Sequence, residues 1–262
     1  MLSTPGSHHP MTAPAPAGLR RDAARAVARV ALLLAAGLAV VAVAAPLDGM
    51  SLWLVPKALA VFGIGALLMW AGLATHAPHA RFGAANGITL GRLALIALLA
   101  AALGESPADP AAFGWTLVAL ATVAALLDAV DGPVARRRQE ASAFGARFDM
   151  ETDALLILVL CALALQQGKA GAWILASGAM RYAFVAAAWH WRWLARPLPP
   201  SLRRKTVCVA QIATLIACLA PLVEAPWAGL VAGAGLLALI GSFAADVRWL
   251  ARHPPRAVEI GK

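Results

Sequence analysis

Eight stretches of this chain are apolar and long enough to cross a lipid bilayer, at roughly 27–46, 53–74, 87–103, 113–131, 149–166, 171–191, 206–222 and 227–246. The hydrocarbon layer takes about 17–25 residues of helix and offers no partner to an unpaired backbone group, so such stretches have one stable form, the α-helix. Composition agrees, because a chain of 262 residues that is 61% hydrophobic and 13% charged carries more apolar surface than a soluble core could bury. The expected fold is all-α, a polytopic membrane helix bundle. Residues 1–18, rich in Pro, Ala and Gly, are expected to form a disordered tail, and 253–262 a cytoplasmic tail. Basic residues precede the first apolar run, as in a secretory signal, but "LLLAAGLAVVAVAAPL" is long enough to stay in the membrane as a helix.

Charge sets the orientation. With the N-terminus in the cytoplasm, eight spans place Arg20, Arg21, Arg25 and Arg29, then Arg81, then Arg136, Arg137, Arg138 and Arg147 on the inside. Arg192, Arg196, Arg203, Arg204 and Lys205 follow, and finally Arg248, Arg252, Arg256 and Lys262; only Lys57 and Lys169 fall outside. This asymmetry obeys the positive-inside rule and predicts cytoplasmic N- and C-termini, as expected for a bacterial inner membrane protein. The net charge of +9 is then a topological signal that meets membrane lipids, and no nucleic-acid partner is needed to explain it. Cys161, Cys208 and Cys218 lie in apolar runs without the spacing of a metal site or disulfide framework. His76 and His79 flank an Ala-Pro pair in a loop; a solvated loop is expected there rather than a metal pair.

The exceptional segment is "LLDAVDGPVARRRQEASAFGARFDMETDALL", residues 126–156, where Asp128, Asp131, Asp149 and Asp153 border two apolar runs. An ionised carboxylate at membrane depth costs several kcal/mol unless it is compensated. At about 100° per residue, Asp128 and Asp131 share one helix face, and Gly145, Asp149 and Asp153, spaced four and four, share another, with Glu151 pointing away. The short basic segment between predicts antiparallel neighbouring helices whose carboxylates face each other. Four clustered carboxylates repel, and hard oxygen ligands in this number suit Mg²⁺, Mn²⁺ or Ca²⁺, with room for two ions. The alternative is an interfacial set of salt bridges to Arg136, Arg137, Arg138 and Arg147. Gly132, Ala135 and Gly145 remove bulk where a ligand or another helix must approach, and Pro133 is expected to loosen the helix just after Gly132.

Together, Asp128, Asp131, Gly132, Ala135, Arg136, Gly145, Asp149 and Asp153 reproduce D-x2-D-G-x2-A-R-x8-G-x3-D-x3-D at every position. The pattern resembles the signature of the CDP-alcohol phosphatidyltransferase family over residues of about 82 to 250, making residues 81–252 a six-helix catalytic core and residues 19–80 two extra N-terminal transmembrane helices. Such enzymes move a substituted phosphate from a CDP-linked donor, usually CDP-diacylglycerol, to an alcohol hydroxyl and release CMP. The resemblance implies Asp128, Asp131 and Asp149 as ligands of two divalent metals, Mg²⁺ or Mn²⁺, with Asp153 touching the second metal or acting as base. It implies Gly132, Ala135, Gly145 and Arg136 around the nucleotide, although Arg136 also fits a topological role.

Upstream, Asn86, Thr89 and Arg92, three apart on one stripe, are similar to the N-x-x-T-x-x-R that lines the family's nucleotide pocket; otherwise Asn86 reads as a helix cap and Arg92 as a snorkelling residue. Arg181 inside a span, and Arg203, Arg204 and Lys205 at the start of the next, are candidates for a phosphorylated acceptor such as glycerol 3-phosphate or inositol phosphate. Serine, inositol, choline and ethanolamine are other acceptors, and Arg181 could instead pair with an aspartate. Lys205, Thr206 and Gln211 resemble the K-T-x-x-Q of phosphatidylglycerophosphate synthases, but the glutamine comes two places late. Trp189, Trp191 and Trp193 with Arg192 and Arg196 suit the headgroup layer. Members of the family often pair through core helices, so a homodimer is compatible with the resemblance. Outside enzymes, a metal-ion transporter would use the same acids, but it would place them near the bilayer midplane in both halves, and the second half has no acidic counterpart.

Overall fold

The computed structural model describes residues 15–44, 51–196, 198–199 and 201–253; of the tails expected at 1–18 and 253–262, residues 1–14 and 254–262 lie outside the described residues, while Ala17 and Gly18 already belong to the first helix. Among the described residues there are eight α-helices and no strand. They are α1 (Ala17–Ala44), α2 (Leu54–Gly72), α3 (Ala84–Ala101), α4 (Pro110–Arg137), α5 (Ala143–Gln166), α6 (Leu175–His190), α7 (Leu202–Leu219) and α8 (Ala225–Arg252). Four segments, Leu54–His76, α3, α4 and α8, are long and apolar enough to cross a membrane by length and composition alone. The first half of α5 carries Arg147, Asp149, Glu151 and Asp153, the first turn of α7 is basic, and α6 has only 16 residues.

Local chemistry explains the helix starts nearest the site. Asp109 caps α4 by accepting from Ala111 N at 2.9 Å and Ala112 N at 3.0 Å, with Pro110 in the first turn, where its missing N–H costs nothing. Ser142 caps α5 through Gly145 N at 3.0 Å. Pro133 does not end α4, which continues to Arg137. The ring removes one hydrogen bond near the helix end, and the helix tolerates that loss four residues before its terminus.

The packing order departs from the expectation that α4 and α5 are neighbours. α3 lies against both of them, and they scarcely touch each other. Two acidic stripes brought face to face would repel, whereas α3 between them buries Leu90, Leu93, Ile96, Ala97 and Leu99 against its neighbours and turns the buried Arg92 toward both stripes. α5 is the second central element and also contacts α6 and α7, while α1 and α2 pack together and onto α3. Gly178 lets α6 meet α5 backbone to backbone, since a Cβ there would stand 2.6 Å from Leu158 Cα.

The end of the bundle away from the aspartates carries a small polar lock. Glu105, in the loop after α3, accepts from Ser51 N at 2.6 Å and Ser51 Oγ at 2.8 Å and pairs with Lys57, which also donates to Leu103 O at 2.8 Å. Burial pushes the Glu105 carboxyl up, but the hydrogen bonds from Lys57 and Ser51 outweigh it and hold it below the usual range. Lys57 is therefore a partner of a buried acid rather than a lone residue at a span end.

Candidate active site

Asp128 and Asp131 come from the last third of α4, Asp149 and Asp153 from the first half of α5, and all four converge on Arg92 of the intervening α3. Arg92 Nη1 lies 2.7 Å from Asp128 Oδ1, 3.2 Å from Asp131 Oδ2 and 2.6 Å from Asp149 Oδ1, while Nη2 pairs with Asp153 Oδ1. Its Nε donates to Ala124 O at 3.2 Å, and the side chain has no exposed surface. One guanidinium against four carboxylates leaves three negative charges to be neutralised when all are ionised. The planar fork explains why arginine fits: it offers donors in several directions at once and stays protonated.

This arrangement bears on two alternatives that the sequence left open. The aspartates do not take Arg136, Arg137, Arg138 or Arg147 as salt-bridge partners among the described contacts; their cation is Arg92, because α3 sits between the acidic helices. Arg92 shares a stripe with Asn86 and Thr89 but turns toward the acids. Thr89 Oγ1 donates to Asp131 Oδ2 at 3.1 Å, tying the stripe to α4. Asn86 does not cap α3; its Nδ2 donates to Phe82 O at 2.5 Å, and the capping is done by Glu140, which accepts from Ala84 N at 2.8 Å and Ala85 N at 3.3 Å.

Beside the acids is a cavity of about 200 Å³, whose walls include Asn86, Thr89, Asp131, Gly132, Ala135, Arg136, Gly145 and Asp149. Six of the seven residues expected around a nucleotide thus line one space, and Arg92 is the exception. Gly145 makes the narrow wall there: a Cβ would stand 2.9 Å from Asn86 Oδ1, so no larger residue fits without moving Asn86.

Asp128, Asp131 and Asp149 each present an oxygen within 4.8 Å of the others, a hard donor set from two helices that could hold a metal ion. Arg92 engages one oxygen of each carboxylate and leaves each a second. The donor set and the excess of negative charge therefore fit a divalent cation such as Mg²⁺ or Mn²⁺.

The expected acceptor residues stand apart from this cluster. Arg181 on α6 is bound to Glu151 of α5 at 2.6 Å, so it pairs with an acid, but with none of the four aspartates. Arg203 and Arg204 share Asp246 of α8, at 2.5 and 3.1 Å, and Arg203 also donates to Ser242 Oγ at 2.8 Å; Lys205 is exposed. Asp246 was missed from the sequence, and it does put a buried acid in the second half. Its signal was a carboxylate at the end of the last apolar run. His76 is neither solvated nor paired with His79 around a metal: it is buried, with Nδ1 2.8 Å from Ser142 Oγ and Nε2 2.9 Å from Arg81 O. Glu140 and Ser142, which shape the cavity rim, gave no signal in a polar loop.

A family model described as CDP-alcohol phosphatidyltransferase matches residues 82–243, more than half of the chain, starting just before α3 and ending within α8. Comparison with curated proteins and with solved structures gives no match. The four aspartates, Arg92 and the cavity all lie inside the matched span, and the chain belongs to the CDP-alcohol phosphatidyltransferase family, phosphotransferases that move a phosphatidyl group from a CDP-alcohol.

Proposed function

We propose that the protein transfers the phosphatidyl group of CDP-diacylglycerol to the hydroxyl of a small alcohol phosphate, with glycerol 3-phosphate the best-fitting acceptor, and releases CMP on the cytoplasmic side of the membrane. The observation that carries this reading is the convergence of four carboxylates from two helices beside a cavity lined by small residues. Two bound divalent cations, Mg²⁺ or Mn²⁺, held by Asp128, Asp131, Asp149 and Asp153, would neutralise charge on the diphosphate as it breaks.

The chain's own residues supply the rest. Gly132, Ala135 and Gly145 let the CMP moiety approach the backbone, Asn86 and Thr89 offer polar contacts, and Arg136 offers positive charge to a phosphate. Arg92 fixes the four carboxylates in one geometry, so that none has to be oriented when substrate arrives. Asp153 has one oxygen on Arg92 and the other free to take the proton of the attacking hydroxyl. The oxygen of that hydroxyl forms a new bond to phosphorus as the bond to the CMP oxygen breaks, and CMP leaves with the electron pair. A positioned base of this kind is worth roughly 10²- to 10⁴-fold in rate.

For the acceptor, charge counting favours an anion: Arg203 and Arg204 share the single carboxylate of Asp246, which leaves one positive charge in excess, and Lys205 adds another. Arg181 is balanced by Glu151 and would have to exchange that partner to hold the acceptor phosphate. The test is release of CMP by purified protein given CDP-diacylglycerol, Mg²⁺ or Mn²⁺ and a panel of acceptors. Turnover with glycerol 3-phosphate is expected. Turnover only with serine, inositol, choline or ethanolamine would overturn the anionic acceptor, and metal uptake into liposomes with no CMP from any acceptor would favour a transporter.

A further inference from the structure

The family match begins at Phe82, so α1, α2 and the turn after α2 stand before it, yet Asp22 of α1 and His76 of that turn bond to Phe82 and Ser142, next to and on the cavity wall. We infer that this helix pair is a positioning element for the nucleotide cavity, acting through Asp22 and His76; the inference rests on reading that cavity as the CMP subsite.

Two hydrogen-bonded chains carry it. In the first, Asp22 Oδ2 on α1 accepts from Phe82 N at 2.9 Å, and the carbonyl of the same Phe82 accepts from Asn86 Nδ2 at 2.5 Å. The residue whose carbonyl orients a cavity side chain is therefore held at its own N–H by a carboxylate from outside the matched span. The second chain runs through His76, in the turn that follows α2. A carbonyl can only accept, so the contact at Arg81 O puts the proton on His76 Nε2. In the neutral ring Nδ1 is then an acceptor, and it takes the Ser142 hydroxyl proton at 2.8 Å while Ser142 Oγ accepts from Gly145 N at 3.0 Å. Every donor is used once, and the chain joins the segment leading into α3 to the first turn of α5.

These are the two walls that meet at Asn86 and Gly145. His76 is about 1% exposed and packs edge-on to Phe144, with ring centroids 5.1 Å apart, so the imidazole at the centre of the link is shielded from water, while Ser142 is half-buried. His79, also on this segment, adds a contact to Ala141 O at 3.2 Å. Glu140 steadies α3 from within the matched span, and Asp22 and His76 steady it from the added helices. Neither Asp22 nor His76 lines the cavity, so both act by placing other groups.

The experiment compares steady-state CMP release and calorimetric CMP binding for wild type, Asp22→Ala, Asp22→Asn, His76→Ala and Asn86→Ala, each checked by thermal unfolding in the same detergent. Asp22→Ala and His76→Ala should raise KM for CDP-diacylglycerol and Kd for CMP about three- to tenfold, the size of one hydrogen bond's net contribution, with kcat within about twofold. Asp22→Asn keeps an acceptor oxygen and should restore wild-type values. If Asn86→Ala weakens CMP binding while folded Asp22→Ala and His76→Ala do not, the helix pair has no positioning role and the inference fails. If Asn86→Ala leaves CMP binding intact, the cavity is not the CMP subsite, and the underlying reading falls first. Should an alanine variant be lost on extraction, Asp22→Ser, whose hydroxyl falls short of Phe82, takes its place with the same expectation.

Discussion

A guanidinium with no exposed surface survives in a membrane bundle only when its charge is met at close range, and Arg92 meets four carboxylates at once. That makes the arginine and the acids mutually dependent. Arg92→Lys keeps the charge but replaces a fork of donors by a point, so the ammonium cannot hold acids from both α4 and α5. CMP release is expected to fall at least about tenfold, the effect typical of losing a residue that orients a ligand set, while the protein still folds. Unchanged turnover would remove Arg92 from the site. The aspartates were legible in the sequence because charge inside an apolar run is costly and their spacing is helical. The partner of Arg92 was not legible, since a stripe on a helix says which residues lie together but not which neighbour they meet.

Among the described residues each apolar run holds an α-helix, and several helices extend past the runs. α1 starts at Ala17 and α8 ends at Arg252, because arginine-rich turns remain good helix beyond the hydrocarbon. Which helices pack together was hidden: the short loop between α4 and α5 argued for contact, and the insertion of α3 depends on shape and charge across the whole bundle. Two predictions belong at this scale. Gly178→Val places methyls where Leu158 already stands, so α6 must move off α5; a stability loss of about 1–3 kcal/mol is expected in detergent unfolding. Glu105 has its carboxyl held low, so the stability it contributes is present above the ordinary glutamate value of about 4.3 and is lost as pH falls through its depressed value. Glu105→Gln should therefore cost about 1–2 kcal/mol at neutral pH, modest because Lys57 keeps a third of its side-chain surface in water, and the difference from wild type should close under acid.

Taken whole, the molecule gathers its chemistry at one end. The start of α3, the end of α4, the start of α5 and the arginines of α7 share it, together with the exposed Trp189, Trp191 and Trp193 that suit a headgroup layer. The charge asymmetry predicts that this end faces the cytoplasm. A cysteine replacing Gln139, in the loop between α4 and α5, should react with an impermeant maleimide in inside-out vesicles and not in intact spheroplasts; the reverse pattern would invert the topology. The most direct test of the central claim is Mn²⁺ binding followed by electron paramagnetic resonance, in wild type and in Asp149→Asn. The account predicts that wild type takes up Mn²⁺ and that Asp149→Asn loses most of that binding along with CMP release; equal Mn²⁺ binding by the two proteins would contradict it.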